Sequence, residues 1–156
     1  MKVSSVVIAM TAVLGLVTTG SVVTATAGAA KKPVPRLVVE PSGSLRNKEV
    51  VRVRGINFTP KDSVFIVECL ATAKGQNNCD TATATPAKIT AKGQLPWTKF
   101  TVLTGAIGNG TCGTTRANAK SCAVSVGNIE GKDTASARIT FVIPATKSTS
   151  KSTSKG

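Results

Sequence analysis

The chain has 156 residues, of which 20 are basic and 7 are acidic, so its formal net charge at neutral pH is +13. It contains four cysteines and one tryptophan, but no histidine and no tyrosine. Without histidine, Ser-His-Asp and Cys-His catalysis is excluded. The closest acidic pair, Glu130 and Asp133, flanks a Gly-Lys turn. We therefore predict a protein that is not an enzyme.

Residues 1–29 have the pattern of a secretory signal peptide. Lys2 precedes a stretch of apolar and small residues from Val6 to Val23, and Ala27-Gly28-Ala29 is a small-residue cleavage signal. The alternative is a retained membrane anchor, but the densest apolar part is short for a membrane span and contains Thr and Gly. We expect cleavage near Ala29/Ala30, a linker over 30–36 and a secreted, extracellular protein in which disulfides persist.

Residues 37–144 are predicted to form one domain of short strands. The predicted strands cover 37–40, 49–54, 63–70, 87–90, 95–103, 122–127 and 134–143. Residues 63–70 are apolar on both faces, which is typical of a central strand, and Pro96 indicates an edge strand or a bulge. A Gly-rich loop covers 105–113. These short strands, without a helical period, predict an all-β, seven-stranded antiparallel immunoglobulin-like β-sandwich.

The last segment, residues 145–156, repeats Lys-Ser-Thr-Ser and contains no large apolar residue. Such a composition cannot bury enough surface to fold, so we predict a disordered tail. The tail is interpreted as a solvated spacer. The alternative is a tether to anionic polymers of the cell envelope, which its lysines could attract.

The four cysteines fall in two pairs with the same spacing, Cys69 with Cys79 and Cys112 with Cys122. Four cysteines allow three pairings, and an inter-sheet bridge from Cys69 to Cys112 or Cys122 is an alternative. We favour the two local disulfides, because each would close a loop rich in turn-forming residues and contribute about 2 to 3 kcal/mol. A zinc site is disfavoured because the spacing is wide and histidine is absent.

Several short segments of the chain, in this order and spacing, form a pattern together with the ten-residue offset between Cys69 and Cys79. They are Pro41-Ser42-Gly43-Ser44-Leu45, Val50-Val51-Arg52-Val53-Arg54-Gly55, Val67-Glu68-Cys69, Cys79-Asp80-Thr81-Ala82-Thr83-Ala84-Thr85, Lys92-Gly93, Cys122-Ala123-Val124-Ser125-Val126-Gly127-Asn128 and Ala137-Arg138-Ile139-Thr140-Phe141. The pattern resembles the neocarzinostatin family, the secreted apoproteins of enediyne chromoprotein antibiotics, and the offset between Cys69 and Cys79 is its most specific match.

The resemblance implies a ligand cleft between the larger sheet and a smaller hairpin region, with the first disulfide in its floor. Carried over by position, the ligand-binding residues would be Cys69, Ala71, Cys79, Ala84, Ala123, Ser125 and Gly127, with Trp97, Phe100 and Ile107 nearby. The family's clefts use aromatic rings to stack on the chromophore, whereas the matching positions here are Ala71, Ala84 and Ala123.

By the same resemblance, the protein would be a monomeric, non-catalytic carrier of a small hydrophobic chromophore of the enediyne type. It would need no other cofactor, and the antibiotic, DNA-damaging activity would come from the ligand. The alternative function is a basic cell-envelope or adhesion module that keeps the fold without a drug site. Arg52 and Arg54 share a strand face that could touch phosphates, but we interpret it as solvated, with DNA binding only weak and electrostatic.

Overall fold

The computed structural model describes residues 32–72 and 75–144. The predicted signal peptide and the predicted tail lie outside the described residues, and their boundaries stay predictions. Within the described part, no helix is long and apolar enough to cross a membrane.

The described domain is built from strands and a single turn of 3-10 helix, Gln76–Asn78. The strands are β1 (Arg36–Glu40), β2 (Glu49–Ile56), β3 (Ser63–Leu70), β4 (Cys79–Lys88), β5 (Leu95–Val102), β6 (Gly105–Ile107), β7 (Gly110–Cys112), β8 (Cys122–Gly127) and β9 (Ala135–Ile139). Seven of them form a three-stranded sheet in the order β1-β2-β5 and a four-stranded sheet in the order β4-β3-β8-β9. All pairings between these strands are antiparallel, so the predicted fold class is confirmed.

The core lies between the inner faces of the two sheets. Period-two alternation sends Val51 and Val53 of β2 inward from one sheet, and Val64 and Ile66 of β3 inward from the other. All four side chains are buried in one apolar cluster, which also contains Phe100 of β5. Burial of such aliphatic and aromatic side chains is the main stabilising contribution in a sandwich of this kind.

Two positional predictions are confirmed. β3 lies in the interior of its sheet between β4 and β8, as its apolar residues on both faces indicate. β5 lies at an edge of its sheet, and Pro96 falls at a register shift between β2 and β5, where the ladder is interrupted. β4 is longer than predicted, and the Gly-rich loop forms the small hairpin β6–β7.

Both local disulfides are present. Cys69 is bonded to Cys79, and Cys112 is bonded to Cys122. Each bond closes a sequence separation of 10 residues, as predicted from the turn-rich loops. The inter-sheet alternative is therefore wrong.

Candidate functional site

A cleft of about 600 Å³ lies over the outer face of the four-stranded sheet, the face turned away from the core. Its lining consists of Phe65, Val67, Cys69, Leu70, Ala71, Gly75, Gln76, Cys79, Thr81, Ala84, Ala123, Ser125, Val126, Gly127, Asn128, Ile129, Gly131, Thr134 and Ser136. The volume falls within the range of pockets that hold small organic ligands, about 300 to 1,000 Å³.

The floor of the cleft is made by β3, β8 and β9. Val67 pairs with Ser125 across β3 and β8, and Ser125 pairs with Ser136 across β8 and β9. Because alternate residues of a strand share a face, the next floor positions on β3 are Phe65 and Cys69. The hydroxyl oxygens of Ser125 and Ser136 are 2.7 Å apart and form a hydrogen bond in the floor.

The remainder of the floor comes from an irregular part of β4. Ile66 pairs with Thr85, whereas Glu68 pairs with Asp80, so the intervening residues of β4 bulge out of the ladder. The Asp80 carboxylate accepts hydrogen bonds from the backbone N–H of Ala82 at 3.1 Å and from the hydroxyl of Thr83 at 2.8 Å. These two bonds hold the bulge, from which two further side chains reach the cleft, namely Thr81 and Ala84.

Two turns form opposite walls. On one side, the Cys69–Cys79 disulfide ties down a loop that contributes Ala71, Gly75 and Gln76. On the other side stands the β8–β9 turn, which contributes Asn128, Ile129, Gly131 and Thr134. In that turn the side-chain oxygen of Asn128 accepts a hydrogen bond from the Lys132 backbone N–H at 2.9 Å. The cleft therefore has a rigid floor of paired strands and walls that are each fixed by a local covalent or hydrogen bond.

No charged side chain is among the lining residues in the described part of the chain. Ala73 and Lys74, next to Gly75 in the first wall, lie outside the described residues. The exposed apolar groups are Phe65, whose side chain is 39% accessible, and Ile129, which is 81% accessible. A largely neutral cavity in so basic a protein favours an apolar, uncharged ligand, since a charged ligand would be desolvated there without a counter-charge.

Directly beneath the floor, Glu68 is only 2% exposed and points into the core. One carboxylate oxygen accepts a hydrogen bond from the Leu103 backbone N–H at 2.7 Å, and the other lies 3.4 Å from Sγ of Cys112. The pKa of Glu68 is raised to about 7: burial is the main cause, the Leu103 hydrogen bond opposes it, and the charge of Asp80 acts in the same direction as burial. The sulfurs of Cys112 and Cys122 are close enough for a joint metal site with this carboxylate, but they are bonded to each other and do not act as thiolate ligands.

The neocarzinostatin family model matches residues 37–141, most of the chain and nearly all of its described part. The chain belongs to the neocarzinostatin family.

Two solved structures are similar to the chain. The structure of macromomycin is 24% identical and has a TM-score of 0.53, covering 70% of this chain and 100% of that chain. The solution structure of apokedarcidin is 22% identical with a TM-score of 0.46, again covering 70% of this chain and 100% of that chain. Among curated proteins, none matches the chain. The likeness to macromomycin shows that the fold is shared.

The structure brings together most of the residues that the family resemblance selected. Seven of them line the cleft: Cys69, Ala71, Cys79, Ala84, Ala123, Ser125 and Gly127. Their role in binding a ligand stays a prediction.

Three other selected residues lie elsewhere, so their predicted placement near the cleft is corrected. Trp97 and Phe100 belong to β5, which is part of the three-stranded sheet. Phe100 points into the core and is buried there with Ile107, whereas Trp97 lies on the outer surface of that sheet. The thickness of the sandwich therefore separates Trp97 from the cleft. The hairpin β6–β7 contributes no lining residue either; the two walls come from other turns.

Several lining residues were missed from the sequence, above all Phe65, Val67 and Ser136. The signal for two of them was present, because alternation along β3 places Phe65 and Val67 on the face of Cys69. Phe65 supplies an aromatic ring at the floor, although the positions matched to the family's aromatic residues are alanines.

Proposed function

We propose that this protein is a secreted, non-catalytic carrier that binds a small, apolar, uncharged ligand in the cleft of the four-stranded sheet. The observation that carries the proposal is the cleft itself, which has about 600 Å³ of space and a lining without charged side chains among the described residues. Membership of the neocarzinostatin family supports a chromophore of the enediyne type as the ligand. Antibiotic activity would then belong to the ligand and not to the protein.

A filled cleft with no room for a ring system would have ruled out the carrier function. The open volume above Ala84, Ala123 and Gly127 supports the carrier function instead, because small side chains leave room for a ring system. Phe65 offers one aromatic face for stacking, and the linked hydroxyls of Ser125 and Ser136 offer a polar group to orient the ligand.

The test is a titration of the purified protein with an aromatised enediyne derivative, followed by native mass spectrometry and by amide chemical shifts. We expect saturable one-to-one binding, with shifts concentrated at Val67, Ser125 and Ser136. Trp97 fluorescence is a poor reporter of this binding, since that ring lies on the opposite outer face.

A matched pair of variants makes the test specific. Phe65 and Trp97 are each 39% exposed, but only Phe65 lines the cleft. Phe65→Ala should weaken binding by about tenfold, because an aromatic contact contributes about 0.5 to 1.5 kcal/mol beyond the area that it buries. Trp97→Ala should leave the affinity unchanged. No saturable binding, or equal losses in the two variants, would rule out the carrier function at this cleft.

A further inference from the structure

The outer face of the three-stranded sheet is the chemical opposite of the cleft. We call it the arginine face and define it by the outward side chains Arg36, Arg52, Arg54, Trp97 and Lys99. It carries four cations against one outward acidic residue, Glu40. The two salt bridges found in the described part of the chain, Lys32–Asp133 and Lys132–Glu130, do not involve it.

Two of these cations are held in place by the aromatic ring. The guanidinium carbon of Arg52 lies 4.6 Å from the centroid of the Trp97 ring, and that of Arg54 lies 4.8 Å from it. Such cation–π contacts order the two long side chains before any partner binds. Less side-chain entropy is therefore lost on binding. The same contacts place two positive charges beside one ring, where they repel each other. An anion bound between them would remove that repulsion.

We propose that the arginine face is a docking surface for a linear phosphodiester polymer of the poly(polyol phosphate) kind, contacted through successive phosphates. Arg52 and Arg54 are alternate residues of one strand, so their Cα atoms are about 6.6 to 6.8 Å apart and their side chains can take neighbouring phosphates of one chain. Across the sheet, Arg52 lies between Lys99 of β5 and Glu40 of β1, so the positive strip widens by one strand on the β5 side. Val38 and Val50, both exposed on this face, offer apolar contact to the hydrocarbon between phosphates.

Nucleic acid fits this surface less well. The outward side chains of the face include no Asn or Gln that could pair with adenine, and the guanidinium groups of Arg52 and Arg54, which could pair with guanine, already lie against the Trp97 ring. Single-stranded nucleic acid also needs free aromatic rings on which bases stack, and the one ring here already contacts two guanidinium groups. The surface thus offers positive charge for phosphates and no free aromatic ring for bases, which favours a polymer that presents phosphates alone. This inference does not depend on the cleft or on its ligand.

The experiment is isothermal titration of the purified protein with poly(glycerol phosphate), at about 50 mM and about 200 mM salt because phosphate contacts are salt-dependent. The test variant is the double substitution Arg52→Gln/Arg54→Gln. Its control is Arg116→Gln/Lys120→Gln, which removes the same charge from two exposed positions in the Cys112–Cys122 loop. Thermal unfolding and circular dichroism of both variants establish that each is folded.

We expect the arginine-face variant to lose at least about tenfold in affinity and the slope of log affinity against log salt to fall by about 2. The control variant should lose no more than about twofold in affinity, because its two charges contribute only to the general electrostatic attraction between protein and polymer. Equal losses in the two variants, or no binding at low salt, would overturn the docking surface. Tighter binding to duplex or single-stranded DNA than to poly(glycerol phosphate), at equal phosphate concentration, would overturn the choice of partner.

Discussion

The two outer faces of the sandwich share one core but have opposite chemistry. Over the four-stranded sheet, two turns enclose a cleft without charged side chains in the described lining. Over the three-stranded sheet, the arginine face presents four cations around Trp97. Each face presents one half-exposed aromatic ring, Phe65 on the first and Trp97 on the second. The inner faces therefore make the fold, whereas each outer face is free to carry its own binding chemistry.

The difference in shape has a local cause. A flat antiparallel sheet becomes a cleft only where neighbouring segments rise beside it, and here the Cys69–Cys79 loop and the β8–β9 turn do so. The bulge in β4 adds Thr81 and Ala84 to the floor. The three-stranded sheet also has an irregularity, between Val53 and Gly55, and it lies beside the Arg54–Trp97 contact.

The largest effect is expected at Glu68, the buried charged group beneath the cleft floor. Its pKa is about 7 in the folded protein and 4.5 as the ordinary value, so between these pH values the unfolded chain releases a proton that the folded chain keeps. The protonated Glu68 therefore adds on the order of 3 kcal/mol to the free energy of unfolding below pH 4.5, and this contribution is lost as the pH rises through 7. Glu68→Gln should abolish this dependence. Urea unfolding at a series of pH values measures it.

Two further observations control the Glu68 prediction. Burial acts to raise the pKa of Asp133, but hydrogen bonds from Thr59 and Lys32 outweigh it and the pKa is lowered. Asp133 therefore contributes stability that is lost only as the pH falls below its ordinary value of 3.8, outside the Glu68 window. Glu68→Ala should be less stable than Glu68→Gln, because it leaves the Leu103 N–H without an acceptor. A wild-type protein of constant stability from pH 5 to 8 would contradict the argument.

The two disulfides provide the next contrast, because they close loops of equal length in different places. Cys69→Ala/Cys79→Ala and Cys112→Ala/Cys122→Ala should each lower the free energy of unfolding by about 2 to 3 kcal/mol. Only the first pair lines the cleft, so only its removal should weaken ligand binding as well. Urea unfolding and ligand titration of the two double variants give both quantities. An unchanged affinity in the first variant would mean that the wall does not depend on its own disulfide, and equal losses in both variants would mean that the loss of affinity is not local to the cleft.

Local patterns predicted much of this molecule, and long-range register accounts for what they missed. Alternation placed Arg52 and Arg54 on one solvated strand face, and Pro96 indicated an edge strand or a bulge. Trp97 was misplaced because no local pattern tells to which sheet β5 belongs. Glu68 went unnoticed as a core group, since a carboxylate is rarely buried and its partner, the Leu103 N–H, is 35 residues away.

The cleft was predicted in part, and the prediction came from the family resemblance more than from the periodicity of the strands. The family positions identified the floor residues of β8. The bulge of β4 was missed, because it depends on a register shift between Ile66 and Glu68 of β3, and no pattern within residues 79–88 predicts that shift. The β8–β9 wall was read as a simple turn around Glu130 and Asp133. Its contribution to a cavity requires knowing that β9 lies beside β8, which is again a matter of pairing.

A smaller effect, an increase in ligand affinity, is expected at the cleft. Ala84→Phe introduces a ring at the edge of the floor and should tighten binding of the aromatised enediyne roughly threefold to tenfold, the value of one aromatic contact. Ala82→Phe is the matched control, because Ala82 lies in the same bulge but outside the lining. Titration by native mass spectrometry compares them. Weaker binding by Ala84→Phe alone would mean that the ligand already fills the space above Ala84.

The smallest effect is expected for stability at the arginine face. Trp97→Leu removes the ring that both guanidinium groups contact, yet exposed cation–π contacts contribute only about 0.5 to 1 kcal/mol each, and the released arginines regain side-chain freedom and hydration. The loss in free energy of unfolding should therefore stay below about 1 kcal/mol, measured by urea unfolding with circular dichroism because the only tryptophan is gone. A loss of several kcal/mol would make the arginine–tryptophan contact a structural element of β2 and β5. A small loss combined with weaker polymer binding would instead indicate that the ring orients the two arginines for a partner.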